Sequence, residues 1–148
     1  MKIYLGADHA GFELKMILSE HLVHAGREVE DVGAKTLDSE DDYPRYAYGV
    51  AAKVLGGDDD DCGVLICGSG QGMSMAANRV NGVRAALAWN AESAEAAKQD
   101  DNANVLVLPA RFITAEEAIA MVDVWLEAKF KADPKYQRRL DELEELYG

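Results

Sequence analysis

The sequence has few of the features that usually mark a compartment or a metal site. It contains only two cysteines, Cys62 and Cys67, with no CxxC pair and no cysteine–histidine cluster, so a structural zinc site has no support. Both cysteines fall on one predicted strand. At about 3.3 Å per residue their Cα atoms lie far beyond the roughly 7 Å reach of a disulfide, which excludes an intrachain bond. No apolar stretch approaches the roughly 20 residues that span a bilayer. The opening MKIYLGADHAG has no basic region leading into a long apolar run, and the expectation is a soluble, cytoplasmic protein. Positive charge is also scarce, with 15 Lys and Arg against 27 Asp and Glu and a net charge of −12. Such a surface repels nucleic acid and anionic membranes at long range. An anionic ligand must then be held by a local basic pocket.

At 148 residues with 49% apolar side chains, the chain fits one domain, 1–148, with a sizeable core. Short β-rich runs at 2–7, 28–32, 62–67, 84–88 and 104–109 alternate with helical patterns at 11–25, 44–56, 72–80 and 91–100. The first, third and fifth runs are nearly continuously apolar, as strands buried on both faces of a parallel sheet must be. The alternation predicts a three-layer α/β domain with a five-stranded parallel sheet. A helix over 114–130 begins at Thr114 with Glu117 three residues on, a capping-box pattern. Pro134 interrupts the chain, and an extra C-terminal helix at about 135–147 carries Tyr136, Leu140, Leu143 and Tyr147 at helical spacing. So narrow an apolar stripe either folds back onto its own domain or crosses to a partner. The GGDDDD turn at 56–61 lacks the ligand spacing of a calcium loop and reads as solvated.

In open α/β sheets, ligands gather outside the carboxyl ends of the strands. Those ends carry GADHAG, CGSGQG, WNAES and PAR, which offer Asp8, His9, Cys67, Ser69, Asn90 and Arg111. Two motifs can be set aside for CGSGQGM. A dinucleotide fingerprint from Gly68 and the Cx5R loop of cysteine phosphatases would need Gly and Arg, respectively, at position 73, where Met73 stands. What remains is a glycine loop entering a helix, whose N–H groups can converge on an anion. A cysteine at its edge feels the helix N-terminus, which favours thiolate over thiol; equally, it could be a buried strand-end residue. Asp8 could cap the first helix, and His9 could satisfy a backbone group. His21 and His24 read as a solvated helix face, Trp89 and Trp125 as packing residues.

DHAGFELK, DDYP, ICGSGQGMSMAANRVNGVRAA, NANVL and the Arg138–Arg139 pair resemble, in order and spacing, the ribose-5-phosphate isomerase B family, which includes galactose-6-phosphate isomerases and tetrose-phosphate relatives. The resemblance runs over nearly the whole chain. It implies a Rossmann-like homodimer, in some cases a tetramer, with active sites at the subunit interface. Its partner is a small sugar phosphate, interconverted between aldose and ketose with no metal and no cofactor. Carried over by position, Cys67 is the base between C1 and C2. Ser69 and the amides of Gly68, Gly70, Gly72 and Met73 face the enediolate. Asp8 and Tyr43 hold hydroxyls and assist ring opening, and His9, Arg111, Lys135 and Arg139 grip phosphate, some from the neighbouring subunit.

Two positions depart from the family pattern. Asp100 and Asp101 stand where His-Asn is commonest, and the histidine is associated with ring opening. Lys135 replaces the frequent arginine, exchanging a bidentate fork for a point charge. The expected reaction is ribose 5-phosphate to ribulose 5-phosphate. A tetrose or hexose phosphate is the alternative substrate, and a non-catalytic sugar-phosphate-binding homodimer the alternative role.

Overall fold

The computed structural model describes residues 1–148. Five strands, β1 (Lys2–Ala7), β2 (Glu28–Asp31), β3 (Cys62–Cys67), β4 (Ala85–Leu87) and β5 (Val105–Pro109), form one parallel sheet in the order β2-β1-β3-β5-β4. Helices α1 (Phe12–His24), α2 (Tyr43–Gly56), α3 (Gln71–Ala77), α4 (Ala91–Asp101), α5 (Ala115–Glu127) and α6 (Pro134–Tyr147) connect and follow them, and a single 3-10 turn, His9–Gly11, precedes α1. This is the expected α/β architecture, with boundaries shifted by a few residues. Pro134 is itself the first residue of α6, one position ahead of the expected start, since its fixed φ suits a first helical turn, and Asp133 caps that turn by accepting from the Lys135 N–H. No helix is long and apolar enough to cross a membrane.

The apolar runs of β1, β3 and β5 are explained by two separate cores. Alternate residues point to opposite faces of a strand. Ile3, Leu5, Val64, Ile66, Leu106 and Leu108 meet α1 and α5 through Leu14, Leu18, Met121 and Trp125. Tyr4, Leu65, Val105 and Val107 meet α2 and α3 through Val50, Val54, Met73 and Ala77. The odd spacing of the cysteines therefore sends Cys62 to the first core and Cys67 to the second. Burial pushes the Cys62 thiol up to about 12, so that thiol is inert packing.

Several polar residues are structural. Asn78 accepts from the Ala85 N–H and donates to the Ala85 carbonyl, while Asn104 accepts from the Arg84 N–H and donates to the Gly82 carbonyl. These two side chains tie the short edge strand β4 into place. Asn90 and Ser93 form a reciprocal capping box on α4, and Thr114 caps α5 by accepting from the Glu117 N–H. Asp61 corrects the solvated reading of its turn. It is buried and accepts from the Lys2 and Asp58 N–H groups, of which the Lys2 bond does most to hold it below the usual carboxylate range. His21 is likewise no free surface residue, because Nε2 lies 2.8 Å from Asp123 of α5.

The most demanding polar contact is that of Lys15. Its side chain is wholly buried, and Nζ bonds the Asp31 carboxylate at 3.0 Å and the Ala34 carbonyl at 2.6 Å. The pair joins α1 to the chain leaving β2 and so fixes the root of the long loop that leads to α2. Removing one partner leaves the other charge without compensation. Lys15→Met should lower unfolding free energy by about 3 kcal/mol, at the low end because Asp31 keeps a path to water. The shift in the urea midpoint at unchanged slope measures it.

Candidate active site

The chain leaves β1 toward the edge strand β2 and then returns across β1 to β3. That reversal opens a crevice between the carboxyl ends of β1 and β3. The register pairs Ala7 with Ile66 and Cys67 with Pro109, so Asp8, Cys67 and the Ala110–Arg111 segment emerge side by side. Two bonds extend the ladder past the strand ends, from the Ala110 N–H to the Cys67 carbonyl (3.0 Å) and from the Arg111 N–H to the Gly68 carbonyl (2.9 Å).

Cys67 ends β3 with 5% of its surface exposed, packed in the second core yet at the mouth of the glycine loop. Each glycine here makes room for something specific. A Cβ on Gly68 would stand 2.5 Å from Nη2 of Arg111, and one on Gly72 would stand 2.7 Å from the Tyr43 ring. Gly70 adopts φ +76°, a backbone that other residues rarely take. The loop thus seats a guanidinium and a phenol against its own main chain. Ser69 Oγ accepts a long 3.4 Å bond from the Gln71 N–H, while the N–H groups of Gly72 and Met73, in the first turn of α3, have no intrahelical acceptor. The Met73 side chain is fully buried in the core, so the expected contribution of Met73 falls to its amide alone.

Asp8 does cap the following turn, accepting from the Ala10 N–H at 3.0 Å. The same carboxylate lies with His9 and Asp41 in a group whose ligating atoms fall within 4.8 Å of one another. These three could hold a metal ion, but His9 and Asp41 are already spent on each other. One oxygen of Asp41 accepts both the His9 backbone N–H and Nδ1 of its ring, each at 2.9 Å, and Tyr46 donates to the other oxygen at 3.1 Å. The bond to Asp41 raises the imidazole pKa, with the charge of Asp8 adding to it. Burial works to push the Asp41 carboxyl up, yet the bonds from His9 and Tyr46 prevail and it titrates below its ordinary range. Asp41 is missing from the sequence-based expectations because its partner lies 32 residues away and the loop carrying it has no periodic pattern.

The expected residues divide into two groups. Asp8, His9, Tyr43, Cys67, Gly68, Ser69, Gly70, Gly72 and Arg111 share the carboxyl end of the sheet. Asp100 and Asp101 do not join them, because they end α4, which leads into the amino end of β5. Lys131 bonds Asp100 at 2.6 Å, and its N–H donates to the Gln99 carbonyl. The Tyr136 ring is flanked by Lys131 (5.1 Å), Lys135 (5.1 Å) and Arg139 (5.6 Å). Lys131 is a third cation that the sequence reading missed. Asp101 lines a cavity of about 510 Å³ with Arg79, Arg84, Leu143 and Tyr147. Within one chain, then, a nucleophile with an amide loop stands at one end and a cation cluster at the other.

The aromatic expectations also divide. Trp125 is buried, its Nε1 without a partner. Trp89 is 67% exposed and Phe112 70%, so Trp89 does not pack within its own chain. Trp89 follows β4 and Phe112 follows β5, both at the carboxyl end of the sheet.

The chain as a whole is similar to known proteins. The family profile described as Ribose/Galactose Isomerase matches residues 3–143. A probable ribose-5-phosphate isomerase B of Mycoplasma genitalium is 48% identical over 141 residues, covering 95% of this chain and 92% of that one. The ribose-5-phosphate isomerase B of Escherichia coli K12 is 44% identical over 138 residues, covering 93% and 91%. A crystal structure of the Mycoplasma genitalium isomerase with bound ribulose-5-phosphate superposes with a TM-score of 0.94 at 46% identity, covering 98% of this chain and 95% of that one. With the profile spanning nearly its full length and its fold shared from end to end, this chain belongs to the ribose/galactose isomerase family.

Proposed function

We propose that the chain interconverts ribose 5-phosphate and ribulose 5-phosphate through an enediolate, with Cys67 as the base. The observation that carries this reading is the placement of Cys67 at the head of an amide-lined loop, with Asp8, His9 and Arg111 around it. Abstracting a proton α to a carbonyl needs a base within about 3 Å and donors aimed at the oxygen that gains charge. In the open-chain aldose, the Cys67 thiolate takes the proton from C2. The C–H electron pair forms the C1–C2 double bond, and the carbonyl oxygen becomes an oxyanion held by the loop amides and Ser69. The O2 proton passes to O1 as the thiol returns its proton to C1, which leaves the ketose. Asp8 and Tyr43 hold the hydroxyls and assist ring opening, while His9 and Arg111 face the phosphate.

The second cation group completes the site from a neighbouring subunit. A five-residue strand such as β5 is about 17 Å long, so a small ligand at Cys67 cannot reach the opposite end of its own sheet. A twofold dimer brings Asp100, Asp101, Lys135 and Arg139 of one chain to Cys67 of the other. The exposed Trp89 and Phe112 at the carboxyl end of the sheet, and the exposed Leu143, Leu146 and Tyr147 of α6, are surfaces such a dimer would cover; pairing of dimers into tetramers is compatible with the same contacts. Two free thiols fit a cytoplasmic setting, where thiols stay reduced. One observation favours a different substrate: Asp100 is committed to Lys131, which leaves it poorly placed to give a proton to a furanose ring oxygen. A tetrose 4-phosphate would not need that step.

Cys67→Ala should lower kcat on ribose 5-phosphate at least about a thousandfold while inorganic phosphate still binds, and EDTA should leave the parent enzyme unaffected; retained turnover removes Cys67 from the chemistry. Co-expressed Cys67→Ala and Arg139→Ala chains, each inactive or weak alone, should regain about a quarter of parental activity, since half the dimers then hold one intact site; no recovery would place the site within one chain. Across four-, five- and six-carbon aldose phosphates, kcat/KM should favour the pentose by more than about tenfold, whereas parity or reversal selects the shorter sugar.

A further inference from the structure

Asp41 poses a problem for a site that must bind a phosphate dianion. Its side chain is only 5% exposed, and it stands directly against His9, one of the groups assigned to that phosphate. A bare carboxylate there would repel the ligand. It is not bare: three donors, the His9 backbone N–H, the His9 ring and the Tyr46 hydroxyl, converge on its two oxygens. Resting on the reading of His9 as a phosphate ligand, we propose that Asp41 is a positioning residue for the phosphate grip, fixing the His9 ring so that Nδ1 is spent inward and Nε2–H is left as the outward donor.

The chemistry follows from the donor inventory of the ring. A carboxylate oxygen only accepts, so the nitrogen facing it must carry a proton. With Nδ1 so committed, Nε2 carries a proton only while the ring is charged, and the neutral ring presents a lone pair there. An Nε2 lone pair would repel phosphate oxygens, whereas an Nε2–H bonds them. The grip therefore depends on His9 staying protonated. Both charges that face the ring favour this, Asp8 from the end of β1 and Asp41 from the loop before α2, while Tyr46 of α2 reaches only Asp41. The His9 side chain, 41% exposed, remains open to a ligand on its other side.

The buried Lys15–Asp31 pair gives this arrangement its footing. The Gly33 N–H donates to Asp31 at 2.8 Å, and Lys15 holds the Ala34 carbonyl, so the loop running to Asp41 starts from a fixed point. At its far end the loop is held by His9 and Tyr46. Asp41 is thus anchored from both directions before any ligand arrives, which is what a positioning residue requires.

The test is NMR titration of the ring nitrogens of His9 in the full chain without ligand, assigned with His9→Asn, together with kinetics of Asp41→Asn. In the parent protein, neutral His9 should be the Nδ1–H tautomer; finding Nε2–H instead overturns the proposal without any Asp41 variant having to fold. In Asp41→Asn, the His9 midpoint should move to lower pH. KM for ribose 5-phosphate should then rise roughly two- to fivefold at about pH 8 and stay unchanged at about pH 6, where the ring is charged in both proteins, with kcat unaltered. An unmoved midpoint, or a KM rise equal at both pH values, overturns it. If ribose 5-phosphate is not turned over at all, the functional reading fails, while the tautomer and the affinity for inorganic phosphate still decide the role of Asp41.

Discussion

Parallel pairing of β1, β3 and β5 is the constraint on which the rest depends. Parallel strands send all their carboxyl ends to one side, so the loops that follow them must meet there however far apart they lie in the chain. The register that sets Ala7 beside Ile66 and Cys67 beside Pro109 then decides which residues become neighbours. Two bonds past the strand ends carry that order into the loop itself. Because β3 and β5 are buried along their whole length, a one-residue slip would exchange two complete core faces. The placement of Cys67 is therefore fixed by hydrophobic packing far from any ligand.

Much of this is legible in the sequence, and the reasons differ by level. Continuous apolar runs give the central strands because burial on both faces leaves no polar position, and the glycine loop stands out because few other roles call for three glycines in five residues. The strand order is not written locally, since β4 and β5 exchange places in the sheet without any signal at either strand. Met73 shows that one loop position can serve two ends: its side chain fills the core, which leaves only its main chain to the loop. Trp89 marks a limit, because an exposed tryptophan and a buried one are alike in composition. Asp41 and Lys131 escaped because each gains its meaning from a partner distant in the chain, His9 in one case and Asp100 in the other.

Charge is managed by pairing within an acidic molecule. Asp31, Asp41 and Asp100 each meet a cation or an imidazole, and Asp61 is answered by backbone N–H groups. Among the remaining cations, Arg111 lies against Gly68, while Lys135, 3.8 Å from Asp133, and Arg139 flank one tyrosine ring. Long-range repulsion by a strongly negative surface then coexists with short-range attraction. Such a balance discriminates against polyanions, whose many charges stay exposed to the negative surface.

The strand order also bears on biogenesis. β1, β2 and β3 are contiguous in both chain and sheet, so the amino-terminal half can assemble a three-stranded nucleus with α1 and α2 while the remainder is still on the ribosome. β4 cannot join it, because its sole neighbour is β5, which is synthesised afterwards. A nascent chain paused between them would expose the open flank of β3 and a stranded edge segment, the kind of surface on which chaperones act.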